Sequence, residues 1–580
     1  MSTVQEDCFK VQFGDNQSTQ KTYYCLKKQV FVLNIPYDIS KKSFSSWRLY
    51  SKTQDYTGNT VEELRFLIVD LIQKMKLKKV TPPGRKCPTI DGLVIFVDNL
   101  LKIKDIFSGL LTEEKWSGDL ITRVIVYDYF IFQSTKQWHL DRIEKKYDVL
   151  DIVQEIMNIY CIPDNHLYIS PQKIDRVRLE RASKGGKLNN IREYYPKGYM
   201  EWKCIRDSMQ PPIRYYNEDP SPQEKILAVD LKSAYPYALL AFRHCASYTE
   251  KVNPKSWRNY LNRSDKGSFG VYDITYSTYM DYIKHFQTCD RSDFSGDGGI
   301  QTVRAILTNV DLDTLTNLRG VTIHGIDCLD LHEFEMDYTP EYYRECIKAG
   351  YLDKKKYPKD TIPYDLAKLK LNSGVYGNTI IKTPEYVVQE AVREGKSSRE
   401  VCKAADKAVR YLSRSGTLPH WGIWAISYIR QIMLKLGQQL TGWLYSNTDS
   451  IYCLDTPENR EFIRLYNEQV KQKVKKICEE FDYNFEDFGD LGQFEVESLK
   501  HFRAWDKSSY AYEDMNGNVT VKASGCKLNK NYTSREVFGD IMFRPEWTPY
   551  YVGVLDKNGH YYEREIGKDE WYMLNLCKDF

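Results

Sequence analysis

No Cys-x-x-Cys pair occurs anywhere in this chain, and its 14 cysteines stand singly. That spacing argues against zinc ribbons and redox motifs and for free thiols in a reducing compartment. The opening residues, MSTVQEDCFK, lack a basic segment followed by an apolar one, so no secretory signal is read there. No window approaches the uninterrupted apolar length of a membrane span. No repeat of roughly 20 to 50 residues is visible, which argues against a solenoid. A charge excess is missing as well: 82 Lys and Arg face 79 Asp and Glu, leaving +3. A nucleic-acid groove would need a local concentration of Lys and Arg rather than a global field. The expectation is a soluble, cytoplasmic protein with no membrane partner.

What is present suits several domains. The chain has 580 residues, too many for one compact core, and 42% of them are hydrophobic, which excludes wholesale disorder. Aromatics reach 14%, with 45 Tyr, suited to packing first and to base stacking second. Up to about Tyr195 the pattern is mixed α/β. Gln29 to Leu33 and Leu93 to Val97 read as buried strands, Val61 to Lys76 and Tyr147 to Tyr160 as helices, and Arg123 to Phe132 as a strand or hairpin. Arg181 to Glu224 is rich in Gly, Pro, Tyr and charge and reads as a boundary or connecting surface segment. Asn309 to Leu312 resembles a helix start, Glu385 to Leu412 a charged helical segment, and Trp421 to Leu440 a long buried helix.

The chemistry centres on Ile226 to Leu239, ILAVDLKSAYPYAL. The apolar run Ile226 to Val229 reads as a buried strand that delivers Asp230 to its end, where Ser233 to Pro236 turn the backbone. A strand-end aspartate is more often a cap or turn former than a ligand, so Asp230 needs partners. Gly442 to Cys453 has hairpin composition with Asp449 at its tip. Between the two lies Pro363 to Asn378, where Lys368, Asn372 and Tyr376, spaced four apart, fall along one face of a helix ending near Gly377. Two strand-end carboxylates and a lysine-bearing helix are what phosphoryl transfer to a hydroxyl needs, because Mg²⁺ takes oxygen ligands and a cationic helix steadies the phosphates.

Asp230-Leu-Lys-Ser-Ala-Tyr-Pro236 resembles the first palm motif of family B DNA polymerases, Asp-x-x-Ser-Leu-Tyr-Pro. Lys368 to Gly377 resembles the fingers motif, and Tyr445 to Ser450 the third motif, Tyr-x-Asp-Thr-Asp-Ser. Leu491 to Glu497 and Lys507-Ser-Ser-Tyr510 look like the elements that precede the thumb. Asn309 to Leu312 lies in an insert similar to the terminal-protein insert of protein-primed phage polymerases. The resemblance implies an α/β and α+β multidomain fold: a right-hand polymerase of palm, fingers and thumb, an N-terminal RNase H-like exonuclease-type domain and two terminal-protein-region inserts. The implied boundaries are 1–195 (exonuclease-like), 196–243 (connector and first palm segment), 244–350 (first insert), 351–384 (fingers), 385–420 (second insert, strand displacement), 421–512 (palm) and 513–580 (thumb).

Carried over by resemblance, Asp230, Asp449 and the Leu231 carbonyl bind two Mg²⁺, replaceable by Mn²⁺. Tyr235 is the gate against a ribose hydroxyl. Lys368 or Lys370 holds the incoming phosphates, with Asn372 nearby and Tyr376 under the nascent base pair. Ser233, Thr448, Ser450, Lys507 and Tyr510 touch primer or template, and Lys354, Lys355 and Lys356 are weaker candidates for triphosphate or template contact. Implied partners are a DNA primer-template, dNTPs and a terminal protein, with the chain as a monomer or in a heterodimer with that protein, in a bacterial host cytoplasm if viral.

Three departures stand out. Asn447 replaces the first Asp of the third motif, the fingers motif carries one extra residue, and Lys507-Ser-Ser-Tyr510 is one residue longer than the phage form. In the N-terminal region Asn34 and Pro36 stand where the exonuclease has its first two carboxylates. Trp47 and Thr57 to Thr60 follow at the expected distance. The second nuclease motif survives loosely as Asn99 to Asp105, and the third as Tyr147 and Asp151. The expectation is a retained but inactive nuclease domain, since an amide offers no charge and proline no ligand. The competing reading is a catalytically dead nucleic-acid-binding scaffold.

Overall fold

The computed structural model describes residues 29–35, 37–38, 43–44, 46–77, 92–97, 124–126, 130–135, 146–160, 171–185, 195–216, 223–252, 269–279, 300–318, 323–380, 383–413, 416–506, 509–523, 550–555 and 561–566. The chain divides into two compact units, Met1–Asn189 with Glu341–Asn378, and Asn190–Pro340 with Thr379–Phe580.

The first unit is built on a six-stranded sheet. Its strands are β1 (Val30–Asn34), β2 (Trp47–Tyr50), β3 (Asp55–Gly58), β4 (Leu93–Val97), β5 (Val124–Val126) and β6 (Phe130–Ser134), in the order β3-β2-β1-β4-β6-β5. β1, β4 and β6 run parallel, and the outer strands pair antiparallel. A parallel centre is covered on both faces, which is why VFVL and LVIFV are unbroken apolar runs. Helix Val61–Lys74 packs Leu64, Ile68 and Leu71 on one face, and helix Val149–Tyr160 covers the other. Val61–Lys74 starts where Thr60 and Glu63 close a capping box, which stabilises a helix start by about 1 kcal/mol. Helices Glu341–Lys356 and Ile362–Leu369 belong to this unit too, and Leu366 joins the core cluster of Val149–Tyr160.

The expected regular helix over 363–377 is corrected here. The α-helix ends at Leu369, a π-helical segment spans Lys370–Val375, and a 3-10 turn covers Tyr376–Thr379. A π segment holds one residue more than the α turns it replaces. Lys368, Asn372 and Tyr376 therefore do not share one regular α-helical face.

The second unit carries a seven-stranded sheet of β7 (Arg214–Tyr216), β8 (Gln223–Leu231), β13 (Trp443–Asn447), β14 (Ser450–Leu454), β15 (Phe494–Asp506), β16 (Ser509–Asp514) and β17 (Val519–Ala523), in the order β17-β16-β15-β8-β14-β13-β7. A four-stranded sheet of β9 (His244–Val252), β10 (Gly270–Tyr279), β11 (Ile300–Thr308) and β12 (Gly325–Asp337) has the order β9-β12-β10-β11. β18 (Tyr550–Leu555) and β19 (Tyr561–Ile566) form a separate hairpin. Helix Pro419–Gly437 is buried along most of its length. Arg181 to Glu224, expected to be a boundary or connecting surface, holds the division at Asn189, but within it helix Tyr199–Asp207 buries Trp202 and Ile205 to 1% exposure, because its apolar residues recur at helical spacing. The charged segment from 385 is a pair of packed helices, Thr383–Arg393 and Ser398–Leu412, broken at Gly395 with φ +70°.

Candidate functional site

The centre of the seven-stranded sheet brings the two aspartates together. β8 pairs antiparallel with β14 and β15, placing Asp230 opposite Ser450 on one side and Glu495 on the other. The Leu231 N–H donates to the Asp449 carbonyl at 2.8 Å, so the two acidic residues are backbone neighbours although 219 positions separate them. Leu227, Val229 and Leu231 point to the buried face, and by strand alternation Asp230 stands on the opposite, solvent-facing side.

Each aspartate is aimed by a turn. After Leu231, Lys232 still pairs with Gly492 and Gln493, then Ser233 at φ +53° turns the chain into helix Ala234–Ala241, with Tyr235 in its first turn. Gly492, at φ +73°, backs directly onto the buried ring of Tyr237, and a Cβ there would lie 2.4 Å from it. Thr448 at φ +61° and Asp449 make a two-residue hairpin tip between Asn447 and Ser450. The Thr448 N–H donates to the Ile213 carbonyl at 2.9 Å. Asn447 belongs to this turn: its Oδ1 accepts from Thr448 Oγ1 at 3.1 Å, and its Nδ2 donates to the Tyr445 hydroxyl at 3.3 Å. A carboxylate there would have no N–H to donate and could only accept from that hydroxyl.

Residues outside the expected site set join this region. Glu495, opposite Asp230, pairs with Lys232 at 3.2 Å. Lys522 lies opposite Tyr510, its ammonium 5.4 Å from that ring's centroid. Burial opposes the Lys522 charge, but the Tyr510 and Tyr512 phenols and the Asp230 carboxylate outweigh it and raise its pKa. Tyr510 itself packs with Tyr445, Tyr452 and Phe502 at centroid distances of 5.0, 5.5 and 6.0 Å. Beside Tyr235, Arg430 is 2% exposed and pairs with the fully buried Asp311 at 3.4 Å, and Ser427 and Thr308 donate to the same carboxylate at 2.7 and 3.1 Å. Cross-strand register and burial expose these partners. Along the chain Glu495 and Asp311 lie in stretches already singled out, Leu491 to Glu497 and Asn309 to Leu312, whereas Lys522 shows only as a lysine in a strand-like tail and Arg430 as an arginine inside an apolar helix.

In the first unit Lys368 is exposed in the last turn of its helix, and no ion pair holds it among the described residues. Lys370 instead reaches Asp353 at 3.3 Å and acts on the buried Asp175 carboxyl. Burial raises the Asp175 pKa, against the pull of Lys370 and Arg178, and the Tyr160 hydroxyl donates to it at 2.9 Å. Asn372 is half-buried in the π segment, and its carbonyl accepts from the N–H of Tyr376, which is buried. Lys354, Lys355 and Lys356 form the last turn of helix Glu341–Lys356, with their ammonium groups over Tyr364, Tyr351 and Tyr357.

Of the nuclease-type residues, Asn34 is exposed at the end of β1 and lines a cavity of about 290 Å³ with Ser46, Trp47, Arg48, Thr57, Gly58 and Asn59. No carboxylate lines it, and Arg48 is engaged by Asp55 at 2.7 Å. Asp151 is ion-paired with Lys52, and Tyr147 precedes the same helix. Pro36, Asn99, Asp105 and Lys507 lie outside the described residues.

Among the described residues no group of three or more His, Cys, Asp and Glu is placed to hold a metal. The oxygen set at the sheet centre comprises the Asp230 and Asp449 carboxylates with backbone carbonyls beside them. That donor set fits a hard divalent cation, which takes its remaining ligands from water and phosphate. No helix among those searched is long and apolar enough to cross a membrane.

No family model matches the chain, and no curated protein matches it. The solved structures do place its fold: a mixed α/β architecture of several sheets, of the kind found in phage DNA polymerase. Phi29 DNA polymerase with primer-template DNA, in the post-translocation binary complex, superposes with a TM-score of 0.52 at 12% identity, covering 93% of this chain and 99% of that one. Its ternary complex with incoming nucleotide gives 0.51 at 12% identity, over 93% and 99%. The complex with single-stranded DNA gives 0.51 at 11% identity, over 86% and 92%. At such identity the likeness is one of fold.

Proposed function

We propose that the chain is a template-directed DNA polymerase of the protein-primed family B type, transferring nucleotides from dNTPs to a primer 3′-hydroxyl. The observation that carries this is the junction of Asp230 and Asp449 across β8 and the β13–β14 hairpin, in a fold like that of phi29 DNA polymerase. Asp230, Asp449 and the Leu231 carbonyl would hold two Mg²⁺ ions, with Mn²⁺ as substitute. When bound there, such ions would supply Lewis-acid activation of a primer hydroxyl and charge stabilisation of the leaving phosphate. Tyr235 closes the sugar side of the nucleotide site and Lys368 binds its phosphates. Tyr510 and Lys522 hold the primer end. The seven-stranded sheet serves as palm and the 351–384 region as fingers. The first priming hydroxyl belongs to a terminal protein, and the 1–195 region is a nuclease-type domain without nuclease activity.

A labelled primer-template tests both halves in one assay. The expected result is Mg²⁺-dependent extension that falls by a factor on the order of 10³ in Asp449→Ala, since metal stabilisation of the transition state amounts to several kcal/mol. Without dNTPs the primer 3′ end stays intact. DNA binding without incorporation, in either Mg²⁺ or Mn²⁺, would establish the scaffold reading instead. Mg²⁺-dependent trimming abolished by Asp151→Ala would overturn the inactive-nuclease half.

A further inference from the structure

Lys232 follows Asp230 by two positions, and its surroundings bear on what that aspartate can hold. Its backbone pairs with Gly492 and Gln493, and its ammonium bridges Asp490 at 3.1 Å and Glu495 at 3.2 Å. Glu495 stands directly opposite Asp230 in the ladder of β8 and β15. The next pair, Leu231 and Phe494, is 1% and 4% exposed, so strand alternation puts Asp230, Lys232 and Glu495 together on the other, solvent-facing side. Directly opposed residues in such a ladder have Cβ atoms about 4.5 to 5.5 Å apart. Glu495 is therefore within a side chain's reach of any cation that Asp230 holds.

Two carboxylates facing each other across a ladder repel, and a site for a hard divalent ion tightens with each carboxylate it engages. Among the described residues, however, Asp230, Asp449 and Glu495 do not gather into a three-carboxylate group. The ammonium of Lys232 accounts for both facts, because it offsets the repulsion and engages Glu495 Oε1 itself. Both partners are partly exposed, and such a pair adds little stability of its own. Its consequence lies with the neighbouring aspartate. Lysine suits the task, since a compact charge on a flexible stem can serve two carboxylates at once.

We propose that Lys232 withholds Glu495 from the divalent cation of Asp230 and Asp449, keeping that site at two carboxylates and its cation readily exchanged. The inference rests on reading Asp230 and Asp449 as metal ligands.

The test measures binding of Mn²⁺ alone to the full chain, without DNA or dNTPs, by the electron paramagnetic resonance signal of the free ion. Lys232→Met is expected to tighten the site at least about tenfold, as a further carboxylate becomes available to the ion. Adding Glu495→Gln should return the affinity to the wild-type level, and adding Asp230→Asn should abolish the gain. Adding Asp490→Asn should preserve it, because Asp490 lies in the turn before β15 and not opposite Asp230. Lys232→Arg keeps the bridging charge and should bind as wild type does. Mn²⁺ should also raise the melting temperature of Lys232→Met more than that of the wild type, which loss of a merely structural ion pair would not do. Unchanged or weaker binding by Lys232→Met overturns the proposal, as does a gain that survives Glu495→Gln. A gain lost equally with Asp490→Asn assigns the effect to the general field of charge and overturns it as well. Primer extension is scored separately: a wild type that extends nothing while the Mn²⁺ pattern holds sinks the polymerase reading and leaves this inference standing.

Discussion

Two lysines two positions apart have opposite surroundings. Lys370 sits between Asp353 and the buried Asp175–Arg178 pair, whose members are 3.5 Å apart, whereas Lys368 faces solvent. The motif alone left either lysine eligible to bind a triphosphate. Burial and charge separate them: a lysine that balances a buried carboxyl has work in the fold, and an exposed one at a helix end is available to a ligand. Lys368→Met should therefore raise the dNTP KM by about tenfold, the worth of one charge-assisted contact, and leave thermal stability unchanged. Lys370→Met should leave KM within about twofold but destabilise the first unit by about 1 to 2 kcal/mol, the buried-pair cost discounted for the partial exposure of Asp353. Steady-state kinetics and melting of the two variants check this, and reversed roles would return the assignment to Lys370. Asn447 teaches the same lesson. Along the sequence it is a lost carboxylate, but in the turn its amide bonds both Thr448 and Tyr445.

At the scale of elements, strands and amphipathic helices were legible because period and burial coincide. β4 occupies the same residues as the sequence expectation, and β1 starts and ends one position later. The π segment was not, because a one-residue widening of a helix leaves apolar spacing almost unchanged. Its cause is visible only in packing. Gly374 lies so close to Asp175 that a Cβ would stand 2.3 Å from a carboxylate oxygen, while at Gly377 the nearest atom is at an ordinary 3.4 Å. The segment widens where the backbone must pass the buried ion pair. Gly374→Ala should destabilise the protein by about 1 to 3 kcal/mol through overpacking against a charged group, with Gly377→Ala costing well under 1. Equal melting temperatures for the two variants would show that the close approach to Asp175 sets no constraint. The buried helix Tyr199–Asp207 was missed for another reason: its apolar residues are few and sit among Gly, Pro and charge, so composition masked a short amphipathic pattern.

For the molecule as a whole, the mixed α/β class was readable from the sequence. One division falls at Asn189, inside the stretch from Arg181 to Glu224 read as a boundary or connecting segment, whereas the return of Glu341–Asn378 to the first unit was not readable. Glu341–Asn378 is packed with the N-terminal sheet, far away along the chain, and only the long-range packing of Leu366 and Lys370 reveals it. The second unit carries a separate property that acts on its entire stability, namely two buried histidines. Burial pushes His420 down to about 3, and neither of its ring nitrogens has a hydrogen-bond partner among the described residues. His244 is pushed down to about 4 by burial, only partly countered by its bond to the Ala238 carbonyl at 2.9 Å. Both therefore stay neutral in the folded state while their unfolded counterparts take up protons below about 6.5. The unfolded state binds more protons between pH 6.5 and 4, so stability is complete above 6.5 and is lost as pH falls, by up to about 1.4 kcal/mol per pH unit for each histidine. His420 packs edge-on to Phe334 at 4.9 Å, an apolar setting that a leucine can fill. His420→Leu should flatten the decline of melting temperature between pH 6.5 and 4.5 by about half of the two-histidine slope while leaving the value at pH 7.5 nearly unchanged. A variant whose acid decline matches the wild type would show that His420 is protonated in the fold, and that the unit tolerates the charge.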